Sequence, residues 1–185
     1  MMTPMPQPTT VRSAETRLPV PVQFSTTVAI LRNGGFHRLV TVRPVAEGEQ
    51  LFHIEGRPGR EPDRYSVQVG EDIHLNPFDA PDADDQTRRA PWQFMNHACE
   101  PSARLQGTDV FALRDLSAGE EVTFNYLTTE YQMAEPFSCH CGSPRCLGRI
   151  GGFKLLPEVE RERLRPWLAP HLARLLAREA ALPPA

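Results

Sequence analysis

The stretch "FSCHCGSPRC", Phe137 to Cys146, holds three of the chain's four cysteines within eight residues, and the fourth, Cys99, lies far upstream in "FMNHACEPS". Whether those thiols meet limits every fold open to the chain, because clustered thiols are crosslinks, metal ligands or reagents. Disulfide staples are not required, since 185 residues suffice to bury a core of their own. The opening "MMTPMPQPTT" has neither a basic n-region nor an apolar run, and no later segment is long and apolar enough to span a bilayer. A soluble protein of a reducing, cytoplasmic compartment is therefore expected. In such a compartment disulfides are rare, and clustered cysteines bind metal or do chemistry.

A structural zinc takes four ligands in a tetrahedron, with thiolates its commonest donors. Cys99, Cys139, Cys141 and Cys146 supply four, with none left over. Spacings of one and four intervening residues call for a knuckle rather than a strand, and Gly142-Ser143-Pro144 has the matching turn chemistry. The spacing alone also admits free buried thiols, since cysteine packs as a small apolar residue. It admits a redox-active protein too, if one thiol is exposed and acidic. If a metal binds, it ties the C-terminal loop onto "NHAC" and roofs Asn96 and His97.

Around this cluster the pattern is mainly β. Short apolar or β-branched runs at Val28–Leu31, Leu39–Val42 and Gln50–Ile54, broken by "NGG" and "AEGE", predict strands joined by turns. Tyr65–Val69 and Asp72–Leu75 continue the series, with Gly70 at the turn between them. Ser102–Gln106 and Asp109–Leu113 flank the hairpin signal "GTD", and Glu120–Phe124 adds a further strand. The proline-rich segments "GRPGREPDR" and "NPFDAPDADD" predict loops, and residues 77–90 show no periodicity. Beyond the cysteines, Val159, Leu164, Leu168, Leu172, Leu175 and Leu176 fall at helical spacing, with Pro157 able to open a helix and Pro166 to break it. Two short amphipathic helices are expected to cover the sheet. A formal net charge of -3 offers no electrostatic footprint for DNA or RNA, so no direct nucleic-acid or membrane partner is expected.

"FMNHACEPSARL", then "LSAGEEVTFNYL", then "FSCHCGSPRCLGRI" together resemble the SET-domain methyltransferase family with its post-SET zinc-binding loop. The resemblance implies an α+β, mainly β fold: a β-clip of short strands with a pseudoknot, a zinc-bound loop and C-terminal helices. It divides the chain into a flexible tail (1–23), a SET-like domain (24–136), the zinc loop (137–152) and a helical segment (153–185). It also implies that Cys99, Cys139, Cys141 and Cys146 meet at one zinc.

The implied activity is transfer of a methyl group from S-adenosylmethionine to a lysine side-chain amine of a protein or peptide, by a chain acting as a monomer. Tyr126 matches the family's catalytic tyrosine, and Tyr65, Phe124 and Phe137 are the substrate-channel candidates. Phe124 falls where the family sets how many methyl groups fit, and implies di- or trimethylation. Asn96 and His97 match the pair that holds the cofactor, the asparagine through its amide and the histidine largely through its backbone. The family's Gly-x-Gly cofactor turn is replaced, its positions reading Phe36-His37-Arg38 with Gly34-Gly35 just ahead. Asn125 stands where aspartate is usual and Gln93 where arginine is common. Two other readings remain: a zinc-stabilised SET-like binding module without catalysis, and a methyltransferase acting on a small amine.

Overall fold

Thirteen short strands and two helices make up the computed structural model, which describes residues 22–23, 25–33, 36–78 and 90–181. Residues 1–21 of the expected tail, the Gly34-Gly35 pair and most of the loop at 77–90 lie outside the described residues, whereas the tail's Val22–Gln23 form a strand paired with Ala29 and Ile30. In chain order the strands are β1 (Val22–Gln23), β2 (Val28–Asn33), β3 (Phe36–Thr41), β4 (Gln50–His53), β5 (Arg57–Gly59), β6 (Val67–Gly70) and β7 (Ile73–Asn76). They continue as β8 (Asn96–His97), β9 (Ala103–Gln106), β10 (Asp109–Ala112), β11 (Thr123–Phe124), β12 (Phe137–Ser138) and β13 (Arg149–Ile150). The helices are α1 (Glu158–Leu164) and α2 (Pro170–Ala181). No helix among the described residues is long and apolar enough to cross a membrane.

The strands form small sheets: β1-β2-β3, β4-β10-β9, β5-β7-β6 and two pairs. The β9–β10 hairpin turns at Gly107, whose φ of 64° is the left-handed conformation that a two-residue loop needs. Val28, Ile30 and Leu39 from β2 and β3 join Trp92, Val110 and Phe124 in the main core. A second cluster gathers Cys99, Leu127, Cys139, Ile150 and Leu164, and Tyr126 packs against both.

Three expectations need correction. The proline-rich segment expected to be a loop contains β5, and Pro58 is tolerated there because β5 is an edge strand of its sheet. The strand expected over Glu120–Phe124 narrows to Thr123–Phe124, with Glu121 making only an isolated bridge to Val40. Leu164, Leu172 and Leu176 are buried as the helical spacing requires, but Val159 is 72% exposed. The chain turns at Arg165–Trp167 between α1 and α2, so one periodic stripe cannot cover both helices.

Candidate active site and metal centre

β8 and β11 lie side by side in parallel, pairing Asn96 with Thr123 and His97 with Phe124. This pairing brings two segments distant in sequence to one point, and Tyr126 emerges from it. The backbone N–H of Tyr126 donates to His97 Nδ1 at 3.2 Å. Since Nδ1 accepts, the neutral ring carries its hydrogen on Nε2, which donates to Cys99 Sγ at 3.3 Å. Burial holds the imidazole down to about 4, so it is neutral near pH 7. His97 therefore links the backbone of Tyr126 to the cysteine cluster, with both ring nitrogens engaged.

The Tyr126 hydroxyl donates to the Met95 carbonyl at 2.7 Å. Burial raises its pKa well above the usual phenol range, with Glu130 and Glu121 adding to the effect, so the hydroxyl stays protonated. Its ring stands edge-on to His97 at 5.2 Å and to Phe137 at 6.0 Å, and lies 4.6 Å from Phe124.

On one side of Tyr126 runs an open groove lined by Phe36, His37, Arg38, Asn96, His97 and Phe137. All five residues expected to hold the cofactor thus face one space. Asn96 Nδ2 donates to the His37 carbonyl at 3.2 Å and to Glu121 Oε1 at 2.8 Å, tying β8 to β3. Arg38 Nε lies 3.7 Å from Glu121 Oε2. Phe36 is 76% exposed at the groove's edge.

On the other side is a smaller cavity lined by Tyr65, Trp92, Met95, Phe124, Tyr126 and Glu130 among others. The two spaces share Arg64, Tyr65, Gln93, Tyr126 and Met133 as walls. Tyr65 and Phe124, two of the expected channel residues, line this cavity, Tyr65 half exposed and Phe124 buried. Phe137, the third, lines the groove instead, where its pairing with Ile150 across β12 and β13 holds it. Trp92 and Glu130 escaped the sequence reading. Trp92 is buried with its indole N–H donated to the Glu55 carbonyl at 2.9 Å.

Glu130 is 5% exposed, four residues after Tyr126. Its carboxylate accepts from the Gln68 N–H at 2.7 Å and from Thr129 Oγ1 at 3.3 Å. Burial raises it to about 7. Its main chain is held at both ends: its N–H donates to the Tyr126 carbonyl and its carbonyl accepts from the Phe153 N–H, each at 2.8 Å. Gly152 makes the second contact possible. Its φ is 112°, and a Cβ there would come within 2.6 Å of the Tyr131 carbonyl oxygen and the Gln132 Cα.

The four cysteine sulfurs lie within 4.8 Å of one another and form no disulfide. A tetrahedron with metal–sulfur bonds of about 2.3 Å separates its sulfurs by roughly 3.8 Å, so the cluster suits a tetrahedral metal ion after small adjustment. Turns at Gly142 (φ 75°) and Gly148 (φ 71°) shape the knuckle, and the Cys146 N–H closes back on the Ser143 carbonyl at 3.0 Å. Burial pushes the Cys139 thiol up to about 12 and raises the Cys99 thiol as well. Thiols so placed ionise together only around a cation. Asn125, buried beside them, accepts the Leu127 N–H at 3.1 Å through Oδ1, as an aspartate would.

Residues 39–127 match the family model described as SET domain. "Methyltransferase flvH" of Aspergillus flavus is 44% identical over 89 residues, which are 45% of this chain and 48% of that protein. The "Histone-lysine N-methyltransferase, H3 lysine-36 specific" of Aspergillus oryzae is 41% identical over 68 residues, 32% of this chain and 7% of that one. A crystal structure of KRYPTONITE with mCHH DNA, an H3(1-15) peptide and SAH aligns with a TM-score of 0.47 at 17% identity, covering 69% of this chain and 30% of that one. The matches thus span less than half of each relative's own length. The family match runs from β3 through the paired β8 and β11 to Tyr126 and its neighbour Leu127. Residues 39–127 of this chain, just under half of it, are thus similar to a SET domain.

Proposed function

We propose that this chain transfers a methyl group from S-adenosylmethionine to a lysine side-chain amine of a protein or peptide. The observation that carries the reading is the meeting of two spaces at one protonated tyrosine: an open groove and an aromatic cavity that share Tyr126 as a wall. An in-line displacement needs its donor and nucleophile on opposite sides of such a point. The names of the two relatives, both methyltransferases and one of them lysine-specific, support the same chemistry.

S-adenosylmethionine, when bound, supplies an electrophilic sulfonium methyl. Phe36, His37, Arg38, Asn96 and His97 would hold it. The amide nitrogen of Asn96 already braces β3, which leaves its carbonyl oxygen for the ligand. Tyr126 commits its only hydroxyl hydrogen to Met95, so its oxygen is free to accept from the amine and orient it. Lysine has a reference pKa near 10.4 and attacks only as the neutral amine. The aromatic walls Tyr65, Trp92 and Phe124 disfavour its cation by excluding water. Phe124 carries no hydroxyl to crowd the amine, which suits di- or trimethylation.

Cys99, Cys139, Cys141 and Cys146 would hold a zinc ion, whose part is structural. It fixes the loop that carries Phe137 over the groove. Four free thiols in one cluster suit a reducing intracellular compartment. The test is labelled-methyl transfer to lysine-containing peptides by the zinc-loaded chain and by Tyr126→Phe. Transfer by the first and its collapse in the second support the reading. Equal transfer by both, with zinc intact, would remove Tyr126 from it. Cofactor binding with no transfer to any peptide but with transfer to a free alkylamine would favour a small-amine substrate. Zinc binding without cofactor binding would favour a non-catalytic module.

A further inference from the structure

Glu130 is a buried carboxylate whose charge nothing nearby explains. Both of its hydrogen bonds, from the Gln68 N–H and Thr129 Oγ1, are ones that a neutral glutamine carbonyl accepts equally well. Among the described residues no lysine or arginine reaches ion-pair distance of it. The nearest basic group is His74 Nε2, 4.0 Å from Oε2, and burial holds that imidazole low and therefore neutral. A carboxylate buried without a cation costs several kcal/mol, and at functional sites such a cost commonly buys chemistry.

The cavity it lines supplies the missing partner's shape. Its free volume is about 40 Å³, enough for an amino group and little more. Trp92, Phe124 and Tyr126 line it and displace water from whatever enters, which leaves the Glu130 charge as the group that can draw an ammonium in. The cavity wall thus holds four aromatic side chains, Tyr65, Trp92, Phe124 and Tyr126, and one buried carboxylate, Glu130. Arg64 and Asp63 line it too, both solvent-exposed.

We infer that Glu130 receives the ammonium group of the incoming amine and accepts its proton. This rests on the methyltransferase reading of the same cavity. The step balances: R–NH3+ and the Glu130 carboxylate become R–NH2 and a neutral carboxyl. The amine lone pair then forms the N–CH3 bond as the S–CH3 bond breaks, so the product leaves as R–NH2CH3+. The carboxyl afterwards returns its proton to water. Burial favours the first transfer, since an ion pair in a dry cavity collapses to a neutral pair more readily than in solvent. A carboxyl near 7 also stands closer to an amine than an ordinary one does. The titratable groups packed around it are Tyr126, which stays protonated; His74; and His171 of α2, which donates to the Thr129 carbonyl.

The probe is n-butylammonium, the end of a lysine side chain, titrated into the zinc-loaded full chain. Carbon-13 signals of the Glu130 carboxyl and calorimetry would report binding. Butylammonium is expected to shift the Glu130 signal and to bind about tenfold more tightly at pH 8 than at pH 6, as the carboxyl ionises. Glu130→Gln should weaken it at least tenfold while leaving the uncharged analogue pentan-1-ol unaffected. Unaltered butylammonium affinity in that variant, or no shift of the Glu130 signal in the native chain, overturns the inference. S-adenosylmethionine titrated into the same samples separates the two claims. Cofactor binding without a Glu130 effect sinks the inference alone, whereas a Glu130 effect without cofactor binding sinks the methyltransferase reading and leaves an ammonium site.

Discussion

The two spaces on either side of Tyr126 differ in size and in how their walls are held. The groove is the larger space, walled by segments whose backbone groups and side chains brace one another, as Asn96 does by reaching both His37 and Glu121. The inner cavity is small, with four aromatic side chains in its wall, and among the described residues no lysine or arginine pairs with its buried carboxylate, Glu130. A space of the first kind grips a large polar ligand by hydrogen bonds at many points. A space of the second kind acts on a small group by removing its water, where one charge counts for far more. The difference teaches that the groove should be sensitive to whatever holds its walls together, and the cavity to single atoms.

Removing the metal should break the comparison most severely. Phe137, Cys139 and Cys141 all border the groove and none borders the inner cavity. Structural zinc contributes on the order of 10 kcal/mol to ordering its ligands. Chelation is therefore expected to abolish S-adenosylmethionine binding, read by calorimetry, while Trp92 stays buried by fluorescence quenching. Loss of both together would mean that the two spaces are one structural unit.

Tyr126→Phe comes next. Methyl transfer should fall about 100- to 1000-fold, the usual effect of deleting an oriented hydroxyl at a reacting centre. Stability should fall by only about 1 kcal/mol, the worth of one lost hydrogen bond to Met95. A rate loss matched by an equal loss of cofactor affinity would place the hydroxyl's role in the groove instead.

Glu130→Gln tests the inner cavity through stability. The folded carboxyl is raised from 4.5 to about 7. The stability contributed by its neutral form is complete below pH 4.5 and is lost as pH rises through about 7. The variant should match the native chain at pH 4 and exceed it by about 3 kcal/mol at pH 8, measured by denaturant unfolding. Parallel stability curves across that range would show that the carboxylate has a partner after all.

Asn96→Ala should have the smallest effect. It removes the ties to His37 and Glu121 and is expected to weaken S-adenosylmethionine about tenfold, or about 1.4 kcal/mol. Butylammonium affinity at the inner cavity should stay unchanged.

The sequence made the groove side more legible than the cavity. Asn96, His97, Tyr126 and the four cysteines sit in short motifs whose spacing carries their chemistry, and all are found together. Turn signals located most strands, including the hairpin at Gly107. Glu130 and Trp92 were silent because burial of a carboxylate or an indole depends on β6, on the turn after β11 and on Phe153, which meet only in three dimensions. That Phe137 lines the groove and not the inner cavity was hidden for the same reason, since its direction depends on pairing with Ile150. Pro58 hid a strand because an edge position, which excuses proline, cannot be read from the segment itself.

Calorimetric titration of the zinc-loaded chain with S-adenosylmethionine is the most direct measurement of the central claim. Binding of one molecule per chain at micromolar strength, lost on chelation, is the expected result. No binding by the fully zinc-loaded chain, with or without lysine peptides present, would contradict the proposed methyl transfer and leave a SET-like fold that serves another end.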